Sequence, residues 1–198
     1  MDFPVIISFF TENTPYALEV QNLIASCKRF NLETSIEGVE SFGAWELNCA
    51  YKPFFILKKL EELQRPLLWV DADGVFLREP TWQEAFEADM AVRLEPTLPQ
   101  DHPSRVISST IFVRPTENAV KLLKIWVQHC YAQLTDPHRK EEFWDQVALR
   151  DAIAVSPAHV ASLPLSYAKI YDHPGDCMAV PEPVIEHYQA SRRFKNLS

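Results

Sequence analysis

The sequence predicts an α/β fold with a mixed, mostly parallel central sheet flanked by helices. Short apolar runs alternate with amphipathic helical patterns along most of the chain, which is typical of a sheet that helices cover on both faces. The 198 residues are enough for one hydrophobic core, and no repeat, low-complexity tract or linker divides them. We therefore expect residues 1–198 to form a single domain.

The strands are predicted from short runs of apolar and β-branched residues. Most of these runs are continuous rather than alternating, which indicates strands buried on both faces. The run 33–39 alternates only weakly. The predicted strands cover residues 4–10, 33–39, 66–70, 89–94, 105–113 and 183–188.

The helices are predicted from apolar residues that recur at helical spacing. Thr14 followed by Pro15 indicates the start of the first helix, because a proline in the first turn gives up only an unpaired N–H. The second helix has Pro53 near its predicted start. The predicted helices cover residues 13–30, 51–63, 116–131 and 141–153, and the predicted surface loops cover 95–105, 136–142 and 171–177.

Composition limits the classes of function. The formal net charge of −8 argues against broad binding to nucleic acid or to an anionic membrane. The four cysteines are scattered without a C-x-x-C pair, so we expect free thiols in a reducing compartment. The sequence shows neither a signal peptide nor an apolar run of transmembrane length. We expect a soluble, cytoplasmic protein.

Glycine is scarce, with 4 residues in the chain. Neither G-x-G-x-x-G nor G-x-x-x-x-G-K-[ST] occurs, which removes the two common glycine-rich phosphate loops. A nucleotide that binds here therefore needs another group to hold its phosphates.

The segment "LLWVDADGVFLREP" (67–80) carries the main chemical signal. Asp71 and Asp73 follow a buried strand, and alternate residues of an extended chain point to the same side. Ligands of open α/β sheets collect at such strand ends. Two carboxylates there favour Mg²⁺ or Mn²⁺, which share substrate phosphates. The competing interpretation is an ordinary solvated turn.

Two families use a motif of this kind. "WVDADGV" resembles the first motif of haloacid-dehalogenase-like phosphatases, with Ser108, Ser109 or Thr110 in place of their second motif. That motif normally opens its domain, whereas residues 1–68 precede it here, and the later acidic motif is reduced to a fragment in "GDC" (175–177).

The other resemblance covers nearly the whole chain. The segment "YKPFFILKKLEELQRPLLWVDADGVFLREP" resembles the GT-A glycosyltransferases, most closely the nucleotide-diphospho-sugar transferases, with glycogenin-like enzymes more distant. "FFTENTPY" is similar to their first strand and loop, and "SSTIFVRPTENAVKLLKIW" to the strand and helix after D-x-D. "FWDQVALRDAI" is similar to their W-D-Q helix, and "PVIEHYQASR" to their closing histidine segment.

This resemblance implies that a divalent metal, Mn²⁺ or Mg²⁺, holds the diphosphate of a nucleoside diphosphate sugar such as a UDP- or GDP-sugar. Asp73 would be a direct ligand, and Asp71 would contact the metal or the ribose. His187 would be the third protein ligand, although a lone histidine is more often structural.

The resemblance also assigns the other site residues. Lys52 would lie near the nucleotide, Phe10 and Thr11 would line the base pocket, and Arg192 or its neighbour would contact the phosphates. Asp145 and Gln146 of the W-D-Q helix would face the sugar as catalytic residues. Trp69 and Trp144 are expected in the core.

The implied reaction is transfer of the sugar to an acceptor that the sequence does not identify, with retention at the anomeric carbon. The alternatives are the phosphatase and a non-catalytic relative that only binds a nucleotide.

Overall fold

The structure is a computed structural model that describes residues 4–81, 87–139 and 142–194. Within these residues the strands are β1 (Val5–Thr11), β2 (Thr34–Val39), β3 (Leu67–Val70), β4 (Gly74–Phe76), β5 (Met90–Leu94), β6 (Val106–Val113), β7 (Val160–Ser162), β8 (Lys169–Ile170) and β9 (Ile185–His187). The helices are α1 (Tyr16–Arg29), α2 (Trp45–Leu63), α3 (Glu117–Thr135), α4 (Asp145–Val155), α5 (Pro174–Ala179) and α6 (Ser191–Phe194).

The main sheet has the strand order β2-β1-β3-β6-β5-β7 in the described chain. Strand β6 runs antiparallel to both of its neighbours, and the other neighbouring strands pair in parallel. The predicted mixed, mostly parallel sheet is therefore confirmed. The carboxyl ends of β1, β3 and β5 consequently meet at one edge of the sheet.

A second, small sheet has the order β4-β9-β8. Strand β4 begins immediately after the two aspartates, and its Gly74 pairs with His187 of β9. This pairing brings the closing segment of the chain back beside the end of β3. The sequence predicted one strand over 183–188, and the structure shortens it to Ile185–His187 and places it in this separate sheet.

The two faces of the main sheet carry separate apolar clusters because side chains alternate along each strand. Val5, Ile7 and Trp69 pack with α2, α3 and α4 on one face. Ile6 and Leu68 pack on the other face with α1 and the small sheet. Both faces are thus covered, as the continuous apolar runs of β1 and β3 predicted.

The helix boundaries differ from the prediction at two starts. Helix α1 begins at Tyr16, whose N–H is 3.3 Å from the Thr14 hydroxyl. Helix α2 begins at Trp45, well before the predicted residue 51, and Pro53 lies in its interior. An interior proline costs about 3 kcal/mol, so burial of the apolar face of α2 must offset it.

Two segments near the site differ from their predicted form. Residues 171–177 were predicted as a loop, but α5 begins at Pro174 within them. The helix predicted over 141–153 begins at Asp145, and residue 141 lies outside the described residues. Within the described chain, no helix has both the length and the apolar character needed to cross a bilayer.

Candidate active site

A pocket of about 810 Å³ lies at the edge where the carboxyl ends of the parallel strands meet. Its volume is within the range of small-molecule sites, about 300–1,000 Å³. Eight of the nine predicted site residues line it: Phe10, Thr11, Lys52, Asp71, Asp73, Asp145, Gln146 and Arg192. The ninth, His187, is fully buried beside Asp73.

Lys52 of α2 joins two carboxylates that are distant in sequence. Its Nζ lies 2.9 Å from Asp71 Oδ1 and 2.9 Å from Asp145 Oδ2. It also lies 3.3 Å from the Ser108 hydroxyl, which donates to Asp145 Oδ2 at 2.8 Å. The Ser108 carbonyl is a further acceptor at 3.4 Å, so the three donors of the ammonium group are fully used. Lys52 therefore acts as the counter-ion of both carboxylates.

The charge of Lys52 is secured by these partners. Burial alone would lower the pKa of the Lys52 ammonium, but the negative charges of Asp145 and Asp71 outweigh burial and raise the pKa above its usual value. The side chain is only 6% exposed. An ammonium this deeply buried stays protonated because two carboxylates face it.

Asp71 is held by contacts of its own. Its Oδ1 accepts from the Trp69 indole N–H at 2.8 Å, in addition to the contact with Lys52. Burial raises the pKa of the Asp71 carboxyl, against the lowering effect of Lys52. One third of the side chain, 33%, is still exposed, and that part faces the pocket.

Asp73 is held by the returning end of the chain. Its Oδ2 accepts the Ala190 backbone N–H at 2.7 Å, and its Oδ1 lies 3.6 Å from His187 Nδ1. Burial opposes ionisation, but the imidazole and the Ala190 N–H together lower the pKa of Asp73. Asp73 is therefore a carboxylate near neutral pH.

The hydrogen bonds of His187 define its tautomer. The Thr110 hydroxyl donates to the Tyr167 carbonyl at 2.8 Å, so it accepts in its 2.8 Å contact with His187 Nε2. Nε2 then carries the proton, and the buried Nδ1 has no hydrogen-bond partner in the described residues. A lone pair on Nδ1 that faces a carboxylate requires a proton or a metal cation between them.

The residues present fit a divalent metal at this position. A neutral imidazole nitrogen fixed by a hydrogen bond from its other nitrogen is the usual form of a histidine ligand. The described residues contain no preassembled group of three or more His, Cys, Asp or Glu side chains. Asp73 and His187 are brought together, whereas Asp71 lies against Lys52 and Trp69.

Gly74 is needed for this arrangement. A Cβ built on Gly74 would lie 2.5 Å from Val70 Cγ1 and 3.0 Å from the His187 ring. Contacts this short force neighbouring atoms to move. The glycine of the D-x-D-G segment therefore leaves room for the imidazole.

The W-D-Q segment has three different environments. Asp145 is 8% exposed and points to Lys52 and Ser108. Gln146 donates to the Pro103 carbonyl at 2.9 Å, so it fixes the loop that residues 95–105 form. Trp144, expected in the core, is 38% exposed and lines the pocket. That expectation was wrong because Trp144 precedes the first turn of α4 and its indole reaches Glu142 at the surface.

The residues predicted to bind the base and the phosphates, Phe10, Thr11 and Arg192, also line the pocket. Phe10 packs across Gly38, with its ring 3.1 Å from the position of a Gly38 Cβ. The Thr11 hydroxyl is 2.8 Å from that of Thr14, which orders the turn after β1. Arg192 forms an exposed ion pair with Asp172.

The resemblance to glycosyltransferases gave no site role to Trp69, Ser108 or Thr110, and the two hydroxyl residues were considered only for the phosphatase alternative. Trp69 was expected only as a core residue, yet its indole fixes Asp71. Ser108 and Thr110 belong to a bulge where β6 loses register with β5, and each hydroxyl orients a site residue. The available signal was three consecutive hydroxyl residues inside an apolar strand, since buried hydroxyls need partners.

Two solved structures share this architecture. One is a glycosyltransferase involved in the glycosylation of the major capsid of PBCV-1, with a TM-score of 0.66 and 14% identity over 96% of this chain and 97% of that one. The other is the glycosyltransferase GlyE of Streptococcus pneumoniae TIGR4, with a TM-score of 0.63 and 14% identity over 94% of this chain and 55% of that one. This chain therefore spans about half of the second protein.

The sequence itself matches no protein-family model and no curated protein. At such low identity the structural similarity establishes the fold. The chain thus has the glycosyltransferase-like α/β fold that the sequence resemblance implied.

Proposed function

We propose that the protein is a metal-dependent glycosyltransferase that uses a nucleoside diphosphate sugar. The observation that carries the proposal concerns His187 Nδ1, which is buried, has no hydrogen-bond partner among the described residues and faces the Asp73 carboxylate at 3.6 Å. Asp73 of this pair lines a pocket of suitable size in a fold shared with two glycosyltransferases.

Asp73 and His187 would hold Mn²⁺ or Mg²⁺. Bound there, the metal supplies Lewis-acid stabilisation of the diphosphate leaving group. The Asp71 carboxylate contributes through its pocket-facing side, to the metal or to the ribose. This division follows from the contacts, because Asp71 Oδ1 is occupied by Lys52 and Trp69.

Asp145 would stabilise positive charge that develops at the anomeric carbon of the donor sugar. Lys52 and Ser108 fix its carboxylate before the substrate arrives, and such preorganisation is what makes electrostatic stabilisation effective. Gln146 would keep the loop over 95–105 closed against the pocket.

Phe10 and Thr11 would receive the base at the end of β1. Arg192 is 53% exposed at its side chain and pairs with Asp172, so it is free to exchange that partner for a phosphate at little cost. Retention at the anomeric carbon is the stereochemical outcome that we expect.

The proposal is tested by incubating the protein with a panel of UDP- and GDP-sugars in the presence and absence of Mn²⁺, with release of nucleoside diphosphate as the readout. We expect metal-dependent release of UDP or GDP from one donor, by slow hydrolysis when no acceptor is present. Asp73→Asn should abolish it.

Asp89→Asn is the matched control. Asp89 also accepts two hydrogen bonds, from Thr116 and from the His159 N–H, but it does not line the pocket. Asp89→Asn should leave the release of nucleoside diphosphate unchanged. Metal-dependent nucleotide binding without turnover of any donor would favour the non-catalytic alternative, and binding that does not depend on metal would contradict the proposal.

A further inference from the structure

A buried ion pair joins the main sheet to α5 beside the pocket. Arg93 of β5 is 6% exposed and Asp176 of α5 is 2% exposed. Arg93 Nη1 lies 2.6 Å from Asp176 Oδ2, and Nη2 lies 2.9 Å from Oδ1. A contact through both oxygens fixes the orientation of the two groups as well as their distance.

The same two side chains hold both ends of β8. Arg93 Nη1 donates to the carbonyl of Ala168, the residue before β8, at 2.9 Å. Asp176 Oδ2 accepts the N–H of Ile170, the last residue of β8, at 2.8 Å. Strand β8 is therefore tied to β5 of the main sheet although it pairs only with β9 in the small sheet.

Strand β8 in turn positions His187. Ile170 lies opposite His187 in the parallel pairing of β8 with β9, and the Tyr171 N–H donates to the His187 carbonyl at 3.1 Å. On its other side, the backbone of His187 pairs with Gly74 of β4. The histidine backbone is thus held between two strands, and β8 is the one anchored by Arg93.

We propose that Arg93 and Asp176 are positioning residues that place the His187 imidazole against Asp73. For the part that concerns metal binding, the inference rests on the proposed function. Arg93 also lines the pocket, but four of its five N–H donors are used by Glu95, Ala168 and Asp176. Direct contact with substrate is therefore limited to one N–H of Nη2.

The test uses the double variant Arg93→Met/Asp176→Leu. Both charges are removed together, because removing only one would leave an unpaired buried charge, which is strongly destabilising by itself. Lys59→Met is the matched control, because Lys59 is also 6% exposed and its ion pairs with Glu37 and Glu62 lie away from the small sheet.

The first readout is the affinity for Mn²⁺ in the presence of UDP, measured by electron paramagnetic resonance. The same spectra show whether a ¹⁴N nucleus, that of the His187 ring, is coupled to the metal. Partners in the outer shell of a metal ligand typically contribute 10–100-fold in affinity. We expect Mn²⁺ affinity to fall at least about tenfold in the double variant, with the ¹⁴N coupling lost. Both should be unchanged in Lys59→Met.

The second readout is amide hydrogen exchange of the metal-free protein over residues 169–171 and 185–188. Exchange there should accelerate in the double variant relative to Lys59→Met, because β8 has lost its anchor. This measurement does not depend on the proposed metal site. Absence of ¹⁴N coupling in the wild-type protein would refute His187 as a metal ligand. Amide hydrogen exchange would still show whether Arg93 and Asp176 hold β8 and the backbone of His187 in place.

Two results would overturn the inference. One is unchanged exchange and unchanged ¹⁴N coupling in the double variant. The other is weaker UDP binding with the ¹⁴N coupling intact, which would mean that Arg93 or Asp176 contacts the ligand directly.

Discussion

Replacing Lys52 by methionine tests how the site is held together. The ammonium lies 2.9 Å from carboxylates of both Asp71 and Asp145, and it is 6% exposed. The substitution keeps most of the side-chain volume and removes the charge. Asp71 at the end of β3 and Asp145 at the start of α4 then remain without the cation that they shared.

The magnitude follows from the distances and the burial. At an effective dielectric constant of about 20, unit charges at this separation attract by ~6 kcal/mol. Desolvation offsets much of that, and breaking one partner out of a buried pair costs about 3–5 kcal/mol. Because the Asp71 side chain is 33% exposed, solvent screens part of the attraction between Asp71 and Lys52. We expect a loss of about 3 kcal/mol, or roughly 6–12 °C in Tm for a domain of this size.

The loss should depend on pH in a defined direction. Without Lys52, the pKa of the Asp71 carboxyl, which burial already raises, should rise further. A carboxyl whose folded-state pKa lies above its unfolded value destabilises the fold at high pH, and the penalty is relieved as pH falls. The wild-type ammonium stays charged throughout. The stability gap between the two proteins should therefore narrow from pH 7 to pH 5.

Urea unfolding at pH 7 and pH 5 measures this gap, with Lys59→Met as the control. Lys59 has the same 6% exposure, but its partners Glu37 and Glu62 are 37% and 44% exposed at their side chains. We expect a cost of about 1 kcal/mol or less for the control, with no narrowing. Two results would refute Lys52 as the counter-ion. One is a smaller loss of unfolding free energy in Lys52→Met than in Lys59→Met, and the other is a difference between wild type and Lys52→Met that grows toward pH 5.

Three further predictions concern the residues around the proposed metal. His187→Ala should abolish Mn²⁺-dependent UDP binding in calorimetry and also cost about 2–3 kcal/mol of stability, because the ring is fully buried; retained Mn²⁺-dependent affinity would show that the histidine is only structural. Gly74→Ala should cost about 1–3 kcal/mol in urea unfolding and weaken Mn²⁺ binding, whereas Gly175→Ala, whose added Cβ meets only the exposed His173 ring at 3.2 Å, should cost less; equal costs would contradict the close approach. Incubation with p-nitrophenyl phosphate and Mg²⁺ should give no nitrophenol, and turnover that is lost in Asp71→Asn would favour the phosphatase alternative.

The sequence was sufficient for five of the six strands of the main sheet, all but β7 (Val160–Ser162), and for the position of the two aspartates. The apolar run before Asp71 gave the buried strand β3, and the alternation of strands and helices gave the layered architecture. Both signals are strong because burial on two faces leaves long apolar runs that need no tertiary information.

Of the small sheet, the sequence predicted only β9, within 183–188, because the strands are too short to show a period. Strand β8 has two residues and β4 and β9 have three each. In strands of two or three residues the alternation of apolar and polar residues is too short to distinguish a strand from a loop. Arg93 gave one hint, since a single charged residue inside an apolar strand needs a buried partner.

The orientation of Asp71 was also beyond the sequence. The spacing of Asp71 and Asp73 predicted two carboxylates on the same side, and both residues line the pocket. The spacing did not predict that the two side chains have different partners. The difference arises from the packing of α2, which carries Lys52 to the end of β3. Contacts between distant segments of this kind depend on tertiary packing and leave no local pattern.

The central claim is that Asp73 and His187 hold a divalent metal that binds a nucleoside diphosphate. Anomalous X-ray scattering from crystals grown with Mn²⁺ and UDP tests this most directly. The account predicts an anomalous peak between the Asp73 carboxylate and His187 Nδ1, about 2.0–2.3 Å from each, with the UDP diphosphate on its open side. A diphosphate bound without a peak there, or a peak away from both residues, would contradict it.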